Sequence, residues 1–396
     1  MNDNQIQKKA NVPTLRFPEF SGEWERKTLG EDCEINMCKR IFASQTSDTG
    51  DVPFYKIGTI GGKADAFISQ ALFEEYRDRY NFPQKGDVLI SCAGTVGKTV
   101  VYDGQPAYFQ DSNIVWVSNP KQLYINSFLR YILSRVDWRK LNTTTIIRIY
   151  NDNLRELAVN FPSVKEQEKI VGLLSLIDEL IAIQSKIIED LKKLKTAICN
   201  EVFSHGRDKC VKLCDTGAYF NTMSLSKEDL STTGNACILY GELFTTYDRV
   251  IDSVKSHTQI AKSSATLSEP NDLLFPASTT VDALSLISPA AIRREGVILG
   301  GDMFGIRLTE RYDNRYMSNL LFSCYRKKLA AYAQGSTIIH LHYNDIRHIR
   351  INVHDIMTQQ KIADALDAVD KKTLIEQSIL DTLKSQKTIL LKGLFI

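Results

Sequence analysis

From Ile170 onward, apolar residues return at alternating steps of four and three. The series runs Leu174, Ile177, Ile181, Gln184, Ile188, Leu191, Lys195, Ile198 and Val202. The same steps carry from Ile362 through Leu366, Val369, Thr373, Glu376, Leu380, Leu383, Lys387 and Leu390 to Leu394. This is a heptad seam, and each run predicts a long helix that packs against another. The faces opposite the seams carry Glu189, Asp190, Lys192 and Lys193, or Asp367, Lys371 and Lys384, as solvated faces should. A helix from Ser163 to Phe203 would be roughly 60 Å long at about 1.5 Å per residue. The polar seam positions Gln184/Glu376 and Lys195/Lys387 occur in both runs. They read either as long side chains lying along the seam edge or as groups that fix register and direction.

The two runs belong to an internal repeat. Thr144-Thr145-Ile146-Ile147 returns as Ser336-Thr337-Ile338-Ile339, Lys169-Ile170 as Lys361-Ile362, Lys195-Thr196 as Lys387-Thr388, and Phe203 as Phe395. Each pair is 192 residues apart (336 − 144, 395 − 203). Upstream the match loosens: Asp87-Val88-Leu89-Ile90 resembles Asp272-Leu273-Leu274-Phe275, and Gln110-Asp111 resembles Gly301-Asp302, with offsets of 185 and 191. Each half thus has a divergent front and a rear that matches its copy. That pattern predicts four segments: a first globular domain over 1–160, a long helix within 161–204, a second globular domain over 205–352, and a second long helix within 353–396. An antiparallel helix pair with pseudo-twofold symmetry is the natural closure.

The fronts read as mixed α/β. Residues 87–91, 99–102 and 114–117 are short, β-branched and bounded by turn formers. Phe128, Leu129, Ile132, Leu133 and Val136 are spaced helically, and residues 318–333 repeat that pattern. Composition narrows the class without naming a function: the chain has 396 residues, 43% of them hydrophobic and 24% charged. A polar start and the lack of any long apolar run point to a cytoplasmic protein without membrane association. The eight cysteines read as reduced thiols, and neither Cys33/Cys38 nor Cys210/Cys214 has the spacing of a zinc knuckle. His340, His342, His348 and His354 have no histidine counterparts in the first half, so no metal site is expected. Net charge is only +2; residues 1–160 carry 20 basic and 19 acidic side chains, and residues 205–352 carry 17 and 15. A nucleic-acid surface would have to arise from local arrangement.

Catalytic motifs fail one by one. Gly94-Thr95-Val96-Gly97-Lys98-Thr99 suggests a P-loop, but position 92 is Cys92 where the first glycine belongs, and the second half has no Gly-Lys. The stretch reads as a tight turn, either purely structural or presenting Lys98 to a phosphate. Asn119-Pro120-Lys121-Gln122 is no methyltransferase tetrapeptide, and Glu25-Arg26-Lys27 lacks the Pro-Asp partner of a nuclease. No catalytic residue is assigned.

Two variable domains alternating with two repeated helices resemble the specificity subunits of Type I restriction–modification enzymes. The motif Phe161-Pro162-Ser163-Val164-Lys165-Glu166-Gln167 looks like that family's approach to its central helix. There Pro162 stops a strand, and Ser163 with Glu166 forms a capping box. Asp87 to Ser91 followed by Gly94 to Lys98, and Trp24 with Lys27 and Leu29, are similar to segments of the family's target-recognition domains. The second copy, His354-Asp355-Ile356-Met357-Thr358-Gln359-Gln360, lacks the proline and the Glu-Gln. The resemblance implies an α+β chain that binds double-stranded DNA with a split site. Two methyltransferase subunits would dock on the helices and restriction subunits could join. S-adenosylmethionine and ATP with magnesium would reside on those partners, and no cofactor on this chain.

Candidate DNA contacts are the polar segments ahead of each long helix, read as loops. In the first half these are Thr143, Thr144, Thr145, Arg148, Tyr150 and Asn151. In the second they are Ser336, Thr337, His340, His342, Tyr343 and Asn344. Lys98 and its counterparts Ser278, Thr279 and Thr280 join them. Three alternatives stay open: a divergent DNA methyltransferase or nuclease with its own active site, a coiled-coil scaffold without a DNA role, and a specificity subunit of a related non-Type I system.

Overall fold

The computed structural model describes residues 11–140, 147–207 and 209–396. Thr143, Thr144 and Thr145 lie outside the described residues. The chain divides into two compact units, residues 1–184 with 379–396, and residues 185–378. Each unit therefore combines one globular front with a segment from each of the two long helices, Val164–Val202 and Ile356–Gly393.

In the first unit, three antiparallel strands lie in the order Glu34–Met37, Ile114–Ser118, Val88–Ser91, with Thr99–Val101 at the far edge. Alternation decides what each face meets. Val88, Ile90, Val115 and Val117 join the cluster that holds Phe128, Ile170, Leu174 and Phe395, whereas Leu89, Ile114 and Trp116 pack into a second core with Val52, Phe54 and Tyr108. A sheet covered on both faces explains why these strands read as nearly continuous apolar runs. A separate pair, Glu25–Thr28 with Ala158–Phe161, leads into the first long helix.

The second unit repeats this plan. Its central strands are Gly217–Asn221, Met303–Leu308 and Asp272–Pro276 in the same order, and Lys209–Lys212 pairs with Arg350–Val353 ahead of the second long helix. Beyond the shared strands the units diverge. Asp272–Pro276 is flanked by Ala290–Ile292 and then Val250–Ile251, and a further four-stranded sheet follows.

The helix starts show how the scaffold is kept despite different sequences. Gln167 is fully buried; its Oε1 accepts from Ile125 N–H at 2.8 Å, and its Nε2 donates to Leu123 O at 3.1 Å and Pro162 O at 3.0 Å. Gln359, 192 residues on, accepts from Asp313 N–H at 3.0 Å and donates to His354 O at 2.8 Å. So the second helix keeps this glutamine seat without the proline, and Asp355 takes the place of Ser163 by accepting from Thr358 N–H at 3.1 Å. The capping box expected at Ser163 is only half formed. Ser163 Oγ accepts from Glu166 N–H at 3.4 Å, but the Glu166 carboxylate turns away to Arg16 (2.8 Å to both Nε and Nη2) and Trp24 Nε1 (3.3 Å). A buried carboxylate gains more from a bidentate guanidinium than from one backbone N–H.

Every seam position proposed from the sequence is buried or half-buried: Ile170, Leu174, Ile177, Ile181, Ile188, Leu191, Ile198, Ile362, Leu366, Val369, Leu380, Leu383 and Leu390. Within the first unit, Ile170 and Leu174 share a cluster with Leu390 and Leu394, and Lys387 pairs with Asp178. Within the second, Ile198 and Cys199 share one with Ile362, Ala363 and Leu366, and Lys195 Nζ lies 2.8 Å from Asp370. As one helix advances its neighbour recedes, so the segments run antiparallel in each unit. The two ion pairs are copies at the same offset of 192 (370 − 178, 387 − 195), which favours the register-fixing reading of the seam lysines. No helix among the described residues is long and apolar enough to cross a membrane.

Candidate nucleic-acid interface

One backbone bond organises the candidate site in each unit. Ile149 N–H donates to Cys92 O at 2.9 Å, and Leu341 N–H donates to Ala277 O at 2.8 Å. These are the same positions of the repeat. The bond lays the segment ahead of each long helix beside the turn that follows the central strand.

In the first unit that turn is Gly94–Lys98. Gly94 and Gly97 have φ of +65° and +83°, the left-handed region that favours glycine, and a Cβ on Gly97 would collide with the Trp138 indole. Thr95 Oγ1 donates to Ile57 O at 2.8 Å, and Lys98 N–H donates to Ser91 Oγ at 3.2 Å. Lys98 is exposed on this framework, in a cleft shared with Trp138, Arg139 and Ile147. Arg148 Nη2 donates to Ser112 Oγ at 3.3 Å, and its guanidinium lies 5.9 Å from the ring of exposed Tyr150.

In the second unit the corresponding turn pairs as a short ladder, Ser278 opposite His340 and Thr279 opposite Ile339. Ser278, Thr279, Thr280 and His340 line one cleft with Arg249 and Arg326. His340 Nδ1 is 3.7 Å from Asp302, and the His340 and His342 rings lie parallel at 6.0 Å. Tyr343 stacks on Tyr219 at 4.4 Å. Asn344 is exposed nearby, while Ser336 and Thr337 sit exposed in the bend before Ile339 and are not part of the cleft.

One expectation needs correction. The polar segments are not wholly loops: Asn151–Arg155 and Tyr343–Ile346 are single helical turns, and Ile339–His340 is a strand. The driving residues are Leu154 and Ile346, each fully buried at equivalent positions, and the Asn153 carboxamide, which accepts from Tyr150 N–H at 2.9 Å. Four or five residues are too few to show a helical period in sequence. The cysteine pairs are also unlike each other. Burial pushes the Cys33 and Cys38 thiols up to about 12, so they stay protonated, whereas Cys210 is exposed and Cys214 half-exposed.

Sequence reasoning missed Arg249 and Arg326. Arg249 is buried, donating to Pro289 O and Ser288 Oγ at 2.8 Å each, and both guanidiniums flank Phe322, at 4.2 and 4.6 Å. Neither lies in the repeated rear segment, so the offset offered no signal.

The family model for the Type I restriction modification DNA specificity domain matches twice, over residues 21–193 and 218–385. The chain belongs to this family. Among curated relatives, this specificity-family chain is 47% identical over 163 residues to a type I restriction enzyme specificity subunit of Haemophilus influenzae, covering 41% of this chain and 42% of that one. It is 24% identical over 215 residues to the MjaX specificity subunit of Methanocaldococcus jannaschii, covering 51% and 50%. The aligned regions thus span about half the length of those relatives or less. Among solved structures, the S subunit of a Type I restriction–modification system from M. genitalium matches with a TM-score of 0.63 at 16% identity, over 97% of this chain and 99% of that one. A chain from a study of type I complex assembly matches with a TM-score of 0.54 at 14% identity, over 94% and 97%. Those likenesses show the fold. Membership gives the chain two DNA specificity domains of the Type I restriction–modification kind.

Proposed function

We propose that the chain selects DNA for a Type I restriction–modification complex by reading a split sequence, one half with each unit. The observation that carries this is one framework, kept in both units, that carries unlike side chains. One backbone bond is kept at Cys92/Ile149 and Ala277/Leu341, yet Arg148 and Tyr150 of one unit become His340 and His342 of the other. Identical framework with different polar side chains is what two readers of different sequences need, because base edges are distinguished by donor and acceptor pattern. In this reading residues 1–160 and 205–352 are the target-recognition domains, and the long helices set the number of base pairs between the half-sequences.

Methyltransferase subunits dock on the helices. Leu176, Leu180 and Ile183 of the first helix are exposed apolar residues at helical spacing, and Leu374 and Ile375 of the second are an exposed apolar pair, which supports a partner surface on each helix. S-adenosylmethionine, ATP and magnesium then belong to the methyltransferase and restriction subunits, and adenine methylation occurs on the partner. The test is methylome sequencing of cells expressing the chain with its methyltransferase. A two-part methylated motif that disappears when the chain is omitted is expected; a continuous motif, or methylation independent of the chain, refutes the reading.

A further inference from the structure

The first unit carries a second polar groove, whose lining includes Ser112, the hydroxyl that accepts from Arg148. Its floor is the strand Glu34–Met37 and the two residues after Cys38, its wall the end of the helix Gln70–Arg79, and Asn151 and Arg155 close it. Lys39, Arg40, Arg79 and Arg155 line it together with the single carboxylate Asp111. In a front that carries 20 basic and 19 acidic side chains, the lining gathers four cations around one carboxylate. Arg79 and Arg155 also meet Glu75 at 3.1 Å and Asp152 at 2.9 Å outside it, which leaves Lys39 and Arg40 as its less committed charges. Arg40 lies 3.4 Å from Asp111 and 5.8 Å from the Phe42 ring, yet its side chain is 69% exposed, so it is held but not consumed. Lys39 and Arg79 both lie against the Tyr80 ring, at 5.4 and 5.9 Å, which fixes two long side chains along one rim.

Amides stand among these cations. Asn81 Nδ2 donates to Asn36 Oδ1 at 3.2 Å, across 45 residues of chain, so two carboxamides are held side by side at the groove surface. Asn151 lies in the same lining. Paired carboxamides offer donor and acceptor in a fixed order, which is the chemistry that reads an adenine edge, and an exposed arginine is the commonest reader of guanine. Flanking lysine and arginine supply the phosphate contacts that position such readers.

We infer that this groove also reads bases of the first unit's half-sequence, beside the Arg148 and Tyr150 side chains. Asn36, Asn81 and Arg40 contact base edges, and Lys39 and Arg79 hold the adjoining phosphates. The inference rests on the DNA-reading proposal above and names the residues that set one half of the motif. It also resolves the near-neutral charge of the front: the cations are gathered by folding from the 39–40, 79 and 155 regions of the chain.

The test uses the full chain with its methyltransferase, in two measurements. Methylome sequencing of Asn81→Ala and Arg40→Ala should show roughly ten- to hundredfold weaker discrimination at single positions, confined to one half of the motif. Lys39→Ala with Arg79→Ala should leave the motif intact, weaken binding to a duplex bearing it, and flatten the log–log salt dependence by about 0.9 per lost phosphate contact. All four side chains are exposed, so unchanged thermal melting is expected and checks that the variants fold. If the parent chain gives a split motif but every groove variant keeps both halves and the parent's salt slope, the groove assignment is overturned alone. If the groove binds heparin and duplex alike and no variant alters the motif, it is a nonspecific polyanion surface and the assignment is likewise overturned. If the parent chain itself gives no split motif, the reading beneath it fails and the groove falls with it.

Discussion

Replacing Gln167 or Gln359 with methionine keeps the side chain's volume and removes only its hydrogen bonds. For Gln167 the change strands one backbone N–H (Ile125) and two carbonyls (Leu123 and Pro162) against a fully buried site. For Gln359 it strands Asp313 N–H and His354 O. An unsatisfied buried donor or acceptor costs about 1–3 kcal/mol, and carbonyls with a second lone pair less than a donor. The sum is about 2–4 kcal/mol for Gln167 and slightly less for Gln359, near the upper end for single substitutions. Because a two-unit chain need not unfold in one step, the measurement should be local: native-state hydrogen exchange at Ile125 and Asp313 and in the first turns of the long helices. Gln167→Met should speed exchange around Ile125 by roughly 30-fold or more (about 2 kcal/mol) and leave Asp313 unchanged; Gln359→Met should do the reverse. Unchanged protection at the stranded amide, or equal loss in both units, would refute the view that each glutamine seats its own helix.

Other consequences can be checked separately. Gly97→Ala meets both a left-handed backbone and the Trp138 indole, so about 2–4 kcal/mol of destabilisation is expected by thermal or urea melting. Gly172→Ala, in open space on the first long helix, should instead stabilise by about 0.5–1 kcal/mol. Burial acts to raise the Asp178 pKa, but bonds from Lys387, Tyr131 and Arg130 bring it below the ordinary value. Asp370, where burial outweighs the Lys195 bond, is held above it. The Asp178 contribution to stability is therefore complete above the unfolded carboxylate pKa and lost as pH falls through the lower folded value. Asp370 does the opposite, costing stability as pH rises from the unfolded value through its raised one. Carboxylate NMR titration should place Asp178 below and Asp370 above an exposed aspartate; the reverse order would refute the assignment. Inserting one heptad into each long helix, between Ile177 and Ile188 and between Val369 and Leu380, adds about 10 Å per helix, or roughly three base-pair steps. Methylome sequencing should show a longer gap with both half-sequences kept.

The repeat was legible because the rear of each half performs one task twice. Asp178 and Asp370 stand 192 residues apart like Lys195 and Lys387, so the partners of the seam lysines could have been found from the same offset by asking which acids it relates. The glutamine seat was half hidden, since Gln167 was visible in its motif while Gln359 stood in a segment without the proline. What survived there was the hydrogen-bonding side chain, because a buried amide that satisfies three backbone groups cannot be exchanged without stranding them.

The candidate contacts were harder for a complementary reason. A scaffold residue is constrained by its own protein, so its identity repeats; in the proposed reading a contact residue would be constrained by the DNA it meets, and two half-sequences would give two answers. Arg148 and His340 occupy one position of the framework and share no chemistry that periodicity could reveal. The groove of Asn36, Arg40 and Asn81 lies further still from sequence view, since it joins a strand to the end of a helix some forty residues away. Folding alone puts those side chains on one surface. In a chain of this design the positions that fail to repeat, once laid on the positions that do, are therefore the ones to test for specificity.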